Sequence, residues 1–465
     1  MQGGYLEEIH EYIDDHWMEA VEDLKRFCRQ PGISAQGTGI DESVEFLVEL
    51  MREYGIQTEV LPGEGFPFIY GELPGESRVT LLFYNHYDVQ PPEPLELWST
   101  PPFEPTVYDG NLRARGVSDD KGDIVARLLA IRAYLEKRGT LPVSVKFIIE
   151  GEEEIGSPHV AAFVEKHHDL LHADACIWEC GGVNWKNQPV IHLGLKGMLY
   201  VQLEARGAST DLHSSMATVV PNPAWRLTWA LNSIKDLDEN IRIEGFYDDV
   251  RPPADEERRL IDSISLDEEE TRQALSLDRF VRGVTGFEYK ARHILEPTCN
   301  ICGLDSGYTG PGSKTVLPNV ARAKIDFRLV PDQRYDDILA RLRRHLDSNG
   351  FEDILIDPQT EGENPARTPL DSPFVSVVAE AAREVYGLDP VLVPSMAGSG
   401  PMYSFAHTLR LPTALIGVAY PGSSPHAPDE HIRLADFVLN AKHIAAVLQN
   451  MTSYRQASGK PQGVP

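Results

Sequence analysis

Cysteine is scarce: the 465-residue chain has five, too few and too scattered to staple a small scaffold, and a chain this long buries enough apolar surface to fold without staples. Cys176, Cys180, Cys299 and Cys302 lack the short knuckles of a four-thiolate zinc site, and all five, Cys28 included, read as reduced thiols. Long apolar runs are missing too. No stretch approaches the roughly 20 residues a membrane-spanning helix needs. The first 24 residues, Gly-Gly and then an acidic helical pattern, have neither the cationic segment nor the apolar centre of a signal peptide. A cytoplasmic location is the expectation, with no membrane partner. Basic residues are in deficit: 43 Lys and Arg against 71 Asp and Glu leave a net charge of -28, which repels phosphate backbones and argues against nucleic acid as a partner. Gly307-Tyr308-Thr309-Gly310-Pro311-Gly312-Ser313-Lys314-Thr315 nearly spells a phosphate-binding loop, but Ser313 displaces the lysine and no strand-to-helix context surrounds it. A nucleophile-elbow serine is absent as well.

What is present is ordinary globular composition, 42% hydrophobic and 25% charged, with a length that suggests two or three domains. Helical spacing over residues 5–29 and 41–54 (Tyr5, Ile9, Tyr12, Ile13; Val44, Leu47, Val48, Met51) ends at Pro31-Gly32 and Gly55, and predicts two antiparallel helices on one face of a sheet. Strands are expected at 56–61, 68–73 and 79–84, the last apolar throughout as a strand buried on both faces should be. Asp109-Gly110 signals a hairpin. An amphipathic helix over 121–137, a strand over 143–149, a further helix and a strand over 173–178 complete an alternation that implies a parallel sheet with crossover helices.

From 197 to 357 the pattern changes to longer amphipathic strands (199–205, 320–330), two helical stretches and a charged excursion over 248–270. This reads as a separate α+β domain with an antiparallel sheet, inserted into the first. After it the first pattern resumes, with helices at 373–386 and 432–450, strands at 391–393 and 413–418, and a polar tail from 453 expected to fray. The expected class is α/β: a mixed, mostly parallel sheet flanked by helices, built from 1–196 and 358–465, with the inserted domain at 197–357.

Two acidic clusters flank the 121–137 helix and the strand after it: Ser118-Asp119-Asp120-Lys121-Gly122 and Glu150-Gly151-Glu152-Glu153-Glu154-Ile155-Gly156-Ser157. Helix capping explains one of the two aspartates but not both. His86 and Asp88 directly follow the strand ending at Tyr84, Glu179 follows the strand ending at Trp178, and His426 lies in the loop after the 413–418 strand. Four strands of one sheet thus deliver two histidines and several carboxylates to the carboxyl edge, where open α/β sheets bind their ligands. Such a set points to metal.

The stretches His86-Tyr87-Asp88-Val89-Gln90-Pro91, Arg115-Gly116-Val117-Ser118-Asp119-Asp120-Lys121-Gly122, Glu150 to Ser157, and His426-Ala427-Pro428-Asp429-Glu430 resemble, in order and over nearly the whole chain, the co-catalytic zinc hydrolases. That family includes carnosinase-type dipeptidases, glutamate carboxypeptidase, acetylornithine deacetylase and succinyl-diaminopimelate desuccinylase. The resemblance implies two divalent metal ions, zinc with manganese or cobalt as alternatives, bridged by Asp119, with His86 and Glu179 completing one site and Glu154 and His426 the other. It implies a cis peptide between Asp119 and Asp120, Glu153 as general base toward the attacking water, and Asp88 as orienter of His86. Two divalent cations balanced by three carboxylates and a hydroxide leave a neutral buried cluster, which lowers the desolvation cost.

In the inserted domain, by the same resemblance a lid and dimerisation domain, Thr210-Asp211-Leu212-His213-Ser214-Ser215 matches a segment whose histidine stabilises the tetrahedral oxyanion. Arg328 matches an arginine that binds the substrate carboxylate, and Gly398-Ser399-Gly400 a loop supplying further substrate contacts. The implied activity is hydrolysis of the amide bond of dipeptides or similarly small peptides, with N-acyl amino acid deacylation or carboxypeptidase action as the alternative, by a homodimer. Tyr87 to Pro91 and residues 98–107 look closer to the dipeptidase branch. Two departures stand out. Asn85 replaces a glycine common before the histidine, and Met216-Ala217-Thr218-Val219-Val220 replaces a glycine-rich run after the His213 segment.

Overall fold

The computed structural model describes residues 3–265 and 268–454; the expectation for the tail falls outside them from residue 455 onward. The chain forms two compact units. One comprises Met1–Gly194, Arg367–Pro394 and Pro401–Pro465, the other Leu195–Ala366 and Ser395–Gly400.

The first unit is built on a nine-stranded sheet. Its centre is Gly75–His86, paired in parallel with Leu141–Glu150 on one side and Ala175–Trp178 on the other. Thr413–Leu415 adds in parallel to Ala175–Trp178, and Val391–Val393 in parallel to Pro189–His192. The outer pairings of Gln57–Leu61 with Phe68–Leu73, and of Phe68–Leu73 with Leu141–Glu150, are antiparallel. The sheet is therefore mixed with a parallel centre, and its central strands are apolar because helices cover them: Leu81, Phe83, Val145, Phe147, Ala175 and Ile177 are all at most 1% exposed. At the Asp109-Gly110 turn both residues have positive φ (44° and 77°), as a two-residue hairpin between right-twisted strands demands.

Four sequence expectations are revised. The Lys121–Arg138 helix is not amphipathic; it packs against the long Gly3–Cys28 helix, the Leu434–Asn450 helix and the sheet, so its residues from Lys121 to Ile131 are all buried. The Ile40–Glu53 helix packs instead on the outer Gln57–Leu61 strand. Residues 431–433 are not the start of the last helix but a strand, His431–Arg433, which pairs with Asn111–Arg113 and extends the hairpin. The Thr413–Leu415 strand ends three residues early, freeing the chain to turn toward the His426 loop.

The second unit has a six-stranded sheet of order Thr298–Ser306, Val320–Leu329, Gly194–Arg206, Leu355–Pro358, with Ala366–Arg367 and Met396–Ser399 also on Gly194–Arg206. The Met396–Ser399 pairing is parallel, which is why Ser395–Gly400 groups with this unit although the sequence pattern assigned it to the returning α/β segment. Helices Pro223–Ile234 and Tyr335–Ser348 bury Leu227, Ala230, Ile338 and Leu342 against Val201, Leu203, Ile325 and Phe327.

Candidate metal centre

The parallel register sets His86 of one central strand beside Glu150 of the next, so the segments after both strands leave the sheet at the same edge. His86 Nδ1 lies 3.0 Å from the Asp88 carbonyl oxygen and 3.4 Å from its Oδ1. Donation from Nδ1 leaves the Nε2 lone pair facing the acids. The Asp88 carboxylate also accepts from the backbone amides of Glu153 (3.3 Å) and Glu154 (3.1 Å), so one buried side chain ties the histidine strand to the glutamate turn.

Asp119 stands between two histidines: its Oδ1 is 3.0 Å from His86 Nε2 and its Oδ2 is 3.2 Å from His426 Nε2. Glu179 Oε2 lies 3.7 Å from His86 Nε2, and Glu154 Oε2 3.1 Å from His426 Nε2. Gln90 Nε2 donates to Glu154 Oε2 at 2.8 Å. The donor atoms fall into two trios, His86–Asp120–Glu179 and Asp119–Glu154–His426, each with all atoms within 4.8 Å of one another. No cysteine belongs to either trio, although the Cys180 thiol donates to Asp119 Oδ1 at 3.4 Å.

Asp120 is a surprise. The Asp119–Asp120 peptide is cis, and Asp120 occupies the N-cap of the Lys121–Arg138 helix without a side-chain capping bond. Its Oδ2 instead accepts from Asn85 Nδ2 (2.5 Å) and the His86 amide (3.2 Å), and its Oδ1 is buried without a hydrogen-bond partner among the described residues. Asn85, the residue in place of glycine, is fully buried and fills a polar slot between Asp120 and Arg127. Glu152, a further acid of the Glu150 to Ser157 cluster, accepts from His159 at 2.6 Å.

Two supporting groups escaped the sequence reading. Glu430 is 1% exposed, and its carboxylate accepts from Arg115 Nη1 (2.7 Å) and from the amides of Gly116, Ser118 and Asp119 (2.8, 2.8 and 3.2 Å), which fixes the loop that presents Asp119. Arg127, wholly buried, donates to the carbonyls of Tyr84 (2.8 Å) and Trp178 (3.0 Å) and to Asn85 Oδ1, clamping the strand ends before His86 and Glu179. Partners that lie 42 to 51 positions from Arg127 and more than 300 from Glu430 carry no spacing signal; the one clue was an arginine among Ile124, Val125, Leu128 and Ile131.

The electrostatics suit a cation. Burial disfavours the His86 imidazolium, but Glu179, Asp119 and Asp88 outweigh it and raise its pKa well above the usual value. Burial, then the charges of Glu154, Asp119 and Asp88 against the opposing pull of His86, push the Glu153 carboxyl well up. Glu179 is likewise raised, by burial first and then by Glu153, Asp120 and Asp119. Hydrogen bonds that the His426 ring donates to the Asp119 and Glu154 carboxylates lift its pKa to about 10. Crowded acids of this kind are relieved by divalent cations. The residues fit one: Glu179 Oε2 is buried and lacks a hydrogen-bond partner among the described residues, and spacings of 3.0 to 3.7 Å are those of donors sharing a tetrahedral cation at about 2.0–2.2 Å.

Of the other expected site residues, Arg328 and Ser399 meet: Arg328 Nη1 donates to Ser399 Oγ at 2.8 Å, with Gly398 on the same short strand. His213 lies on a separate two-stranded sheet with Val316–Leu317, exposed, its Nδ1 2.8 Å from Ser215 Oγ.

Histidines and carboxylates paired into two trios at the carboxyl ends of parallel strands are the equipment of a metal-dependent hydrolase. Residues 82–450 match the family described as Peptidase family M20/M25/M40; the chain belongs to that family and is a metallopeptidase. It is 39% identical to an M20 family metallo-carboxypeptidase, Sso-CP2 from Sulfolobus solfataricus, whose crystal structure superposes with a TM-score of 0.89 over 93% of this chain and 99% of that one. It is 27% identical over 479 residues to the Beta-Ala-His dipeptidase of Homo sapiens, covering 96% of this chain and 92% of that protein. It is also 27% identical over 477 residues to the Cys-Gly metallodipeptidase dug1 of Schizosaccharomyces pombe, with 96% and 98% covered.

Proposed function

We propose that this metallopeptidase hydrolyses the amide bond of dipeptides or similarly small peptides with a free terminal carboxylate. The observation that carries the reading is Asp119, whose two oxygens each face one histidine, with the Glu153–Glu154 turn held beside it by Asp88. His86, Asp119 and Glu179 would hold one cation, and Asp119, Glu154 and His426 the other. Asp120, grouped with His86 and Glu179, orients His86 through its backbone amide. Zinc suits these nitrogen and carboxylate donors, and manganese or cobalt fits the same set. When bound, such cations polarise the scissile carbonyl and lower the pKa of the attacking water.

The chain's own residues do the rest. Glu153 takes the proton from the attacking water and delivers it to the leaving amine. Arg328, with Ser399 and Gly398 beside it, receives the terminal carboxylate, for which a guanidinium fork is well shaped. His213 donates to the oxyanion that forms as water adds. The names of the human and yeast relatives favour dipeptides. A second reading, carboxypeptidase or N-acyl amino acid hydrolase, is favoured by the 39% identity to the Sulfolobus metallo-carboxypeptidase. Free-amine dipeptides assayed beside their N-acetylated counterparts separate the two: faster cleavage of the free amines supports the first reading, faster cleavage of the acetylated ones the second.

The working form is proposed to be a cytoplasmic homodimer. Support for the dimer comes from the second unit, where Trp225 and Trp229 stack at 6.0 Å while 59% and 55% exposed, and the outermost strand Thr298–Ser306 exposes Ile301 and Leu304. Such surface is rarely left open to water. Light scattering is expected to give twice the 51.8 kDa chain mass; a monomeric mass at working concentration counts against it.

A further inference from the structure

Within the second unit's sheet, Met198 is paired on one side with Arg328 and on the other with Glu363. Directly opposed residues of antiparallel strands project to one face, so Arg328 and Glu363 flank Met198 on the same face, two strand spacings or roughly 10 Å apart. Arg328 is only partly engaged: Nη1 donates to Ser399 Oγ and Nε to Asp326 Oδ2 at 3.3 Å. The neighbouring cation on this face, Lys196, is already committed, its Nζ donating to the carbonyls of His293 (2.9 Å) and Glu296 (2.7 Å). The Glu363 carboxylate, by contrast, has no hydrogen-bond partner among the described residues, and its Oε2 is sealed from water. Burial pushes this carboxyl up to about 7 against the pull of Arg328. A shielded acid without a donor is costly in the free protein and becomes favourable when a cation arrives.

We propose that Glu363 is a specificity determinant: with Arg328 holding the substrate's terminal carboxylate, Glu363 pairs with a cationic side chain on the same C-terminal residue. The inference rests on the reading of Arg328 given above and adds the substrate class, peptides ending in lysine or arginine. The span from Arg328 to Glu363 is one that a long cationic side chain bridges and a methyl group does not.

The test compares kcat/KM for Ala-Lys, Ala-Leu and Ala-Asp on the metal-loaded full chain, for the native protein, Glu363→Gln and Glu363→Lys. The expected native ratio of Ala-Lys to Ala-Leu is tenfold or more. It falls toward one in Glu363→Gln, and Glu363→Lys prefers Ala-Asp to Ala-Lys. A native ratio near one, or a ratio unmoved by Glu363→Gln, overturns the inference alone. A native protein that cleaves none of the three dipeptides overturns the dipeptidase reading and this inference with it.

Discussion

Glu153 and Glu154 are chemically identical neighbours whose surroundings separate them. The Glu154 carboxylate is engaged by His426 and Gln90, whereas that of Glu153 has no hydrogen-bond partner among the described residues while sharing the field of His86, Asp119 and Glu154. A ligand needs fixed geometry; a base needs freedom to collect and release a proton. Glu153→Gln is therefore expected to lower kcat by about a thousandfold or more while metal content, read by elemental analysis, stays native. Glu154→Gln is expected to lower the metal content itself. If Glu153→Gln loses metal and Glu154→Gln does not, the two roles are exchanged. The sequence made both glutamates visible as a cluster, but their division of labour came with the family resemblance, because spacing cannot report which of two adjacent carboxylates is already hydrogen-bonded.

At the scale of elements, the parallel sheet and the edge to which it delivers its acids were legible, because buried central strands read as unbroken apolar runs and each candidate residue directly follows one. The burial of the Lys121–Arg138 helix was not. Its charged residues suggested a solvent face, yet Arg127 is turned inward to the carbonyls of Tyr84 and Trp178. Arg127→Met is predicted to cost about 3–5 kcal/mol in urea unfolding, since it strands buried acceptors, and to weaken metal retention by loosening two strand ends; unchanged stability would deny the clamp. His443, on the Leu434–Asn450 helix, is 1% exposed and donates to the Val378 carbonyl of the neighbouring helix at 3.1 Å. Burial lowers its pKa to about 4. The unfolded chain takes up this proton near pH 6.5 and the folded chain only near 4, so stability falls as pH drops through that window, by about 3 kcal/mol in all. His443→Gln is expected to flatten that part of the pH–stability curve, and an unaltered slope would show that other groups set it.

For the whole molecule, charge and composition name no partner. A net charge of -28 argues against nucleic acid, and among the described residues no helix is long and apolar enough to cross a membrane. Neither fact selects a substrate. The groups proposed to select substrate, Arg328, Ser399 and Glu363, come from three separate stretches of the second unit, and only strand register puts Met198 between an arginine and an acid that lacks a hydrogen-bond partner among the described residues. The same limit hid Glu430, which is joined to Arg115 across 315 positions of sequence. The central claim, that two cation sites sharing Asp119 perform peptide hydrolysis, is tested most directly by removing all metal with chelator and titrating zinc back while following dipeptide cleavage. Activity should vanish on removal and return in full at two equivalents per chain. Cleavage that survives complete metal removal would contradict the account.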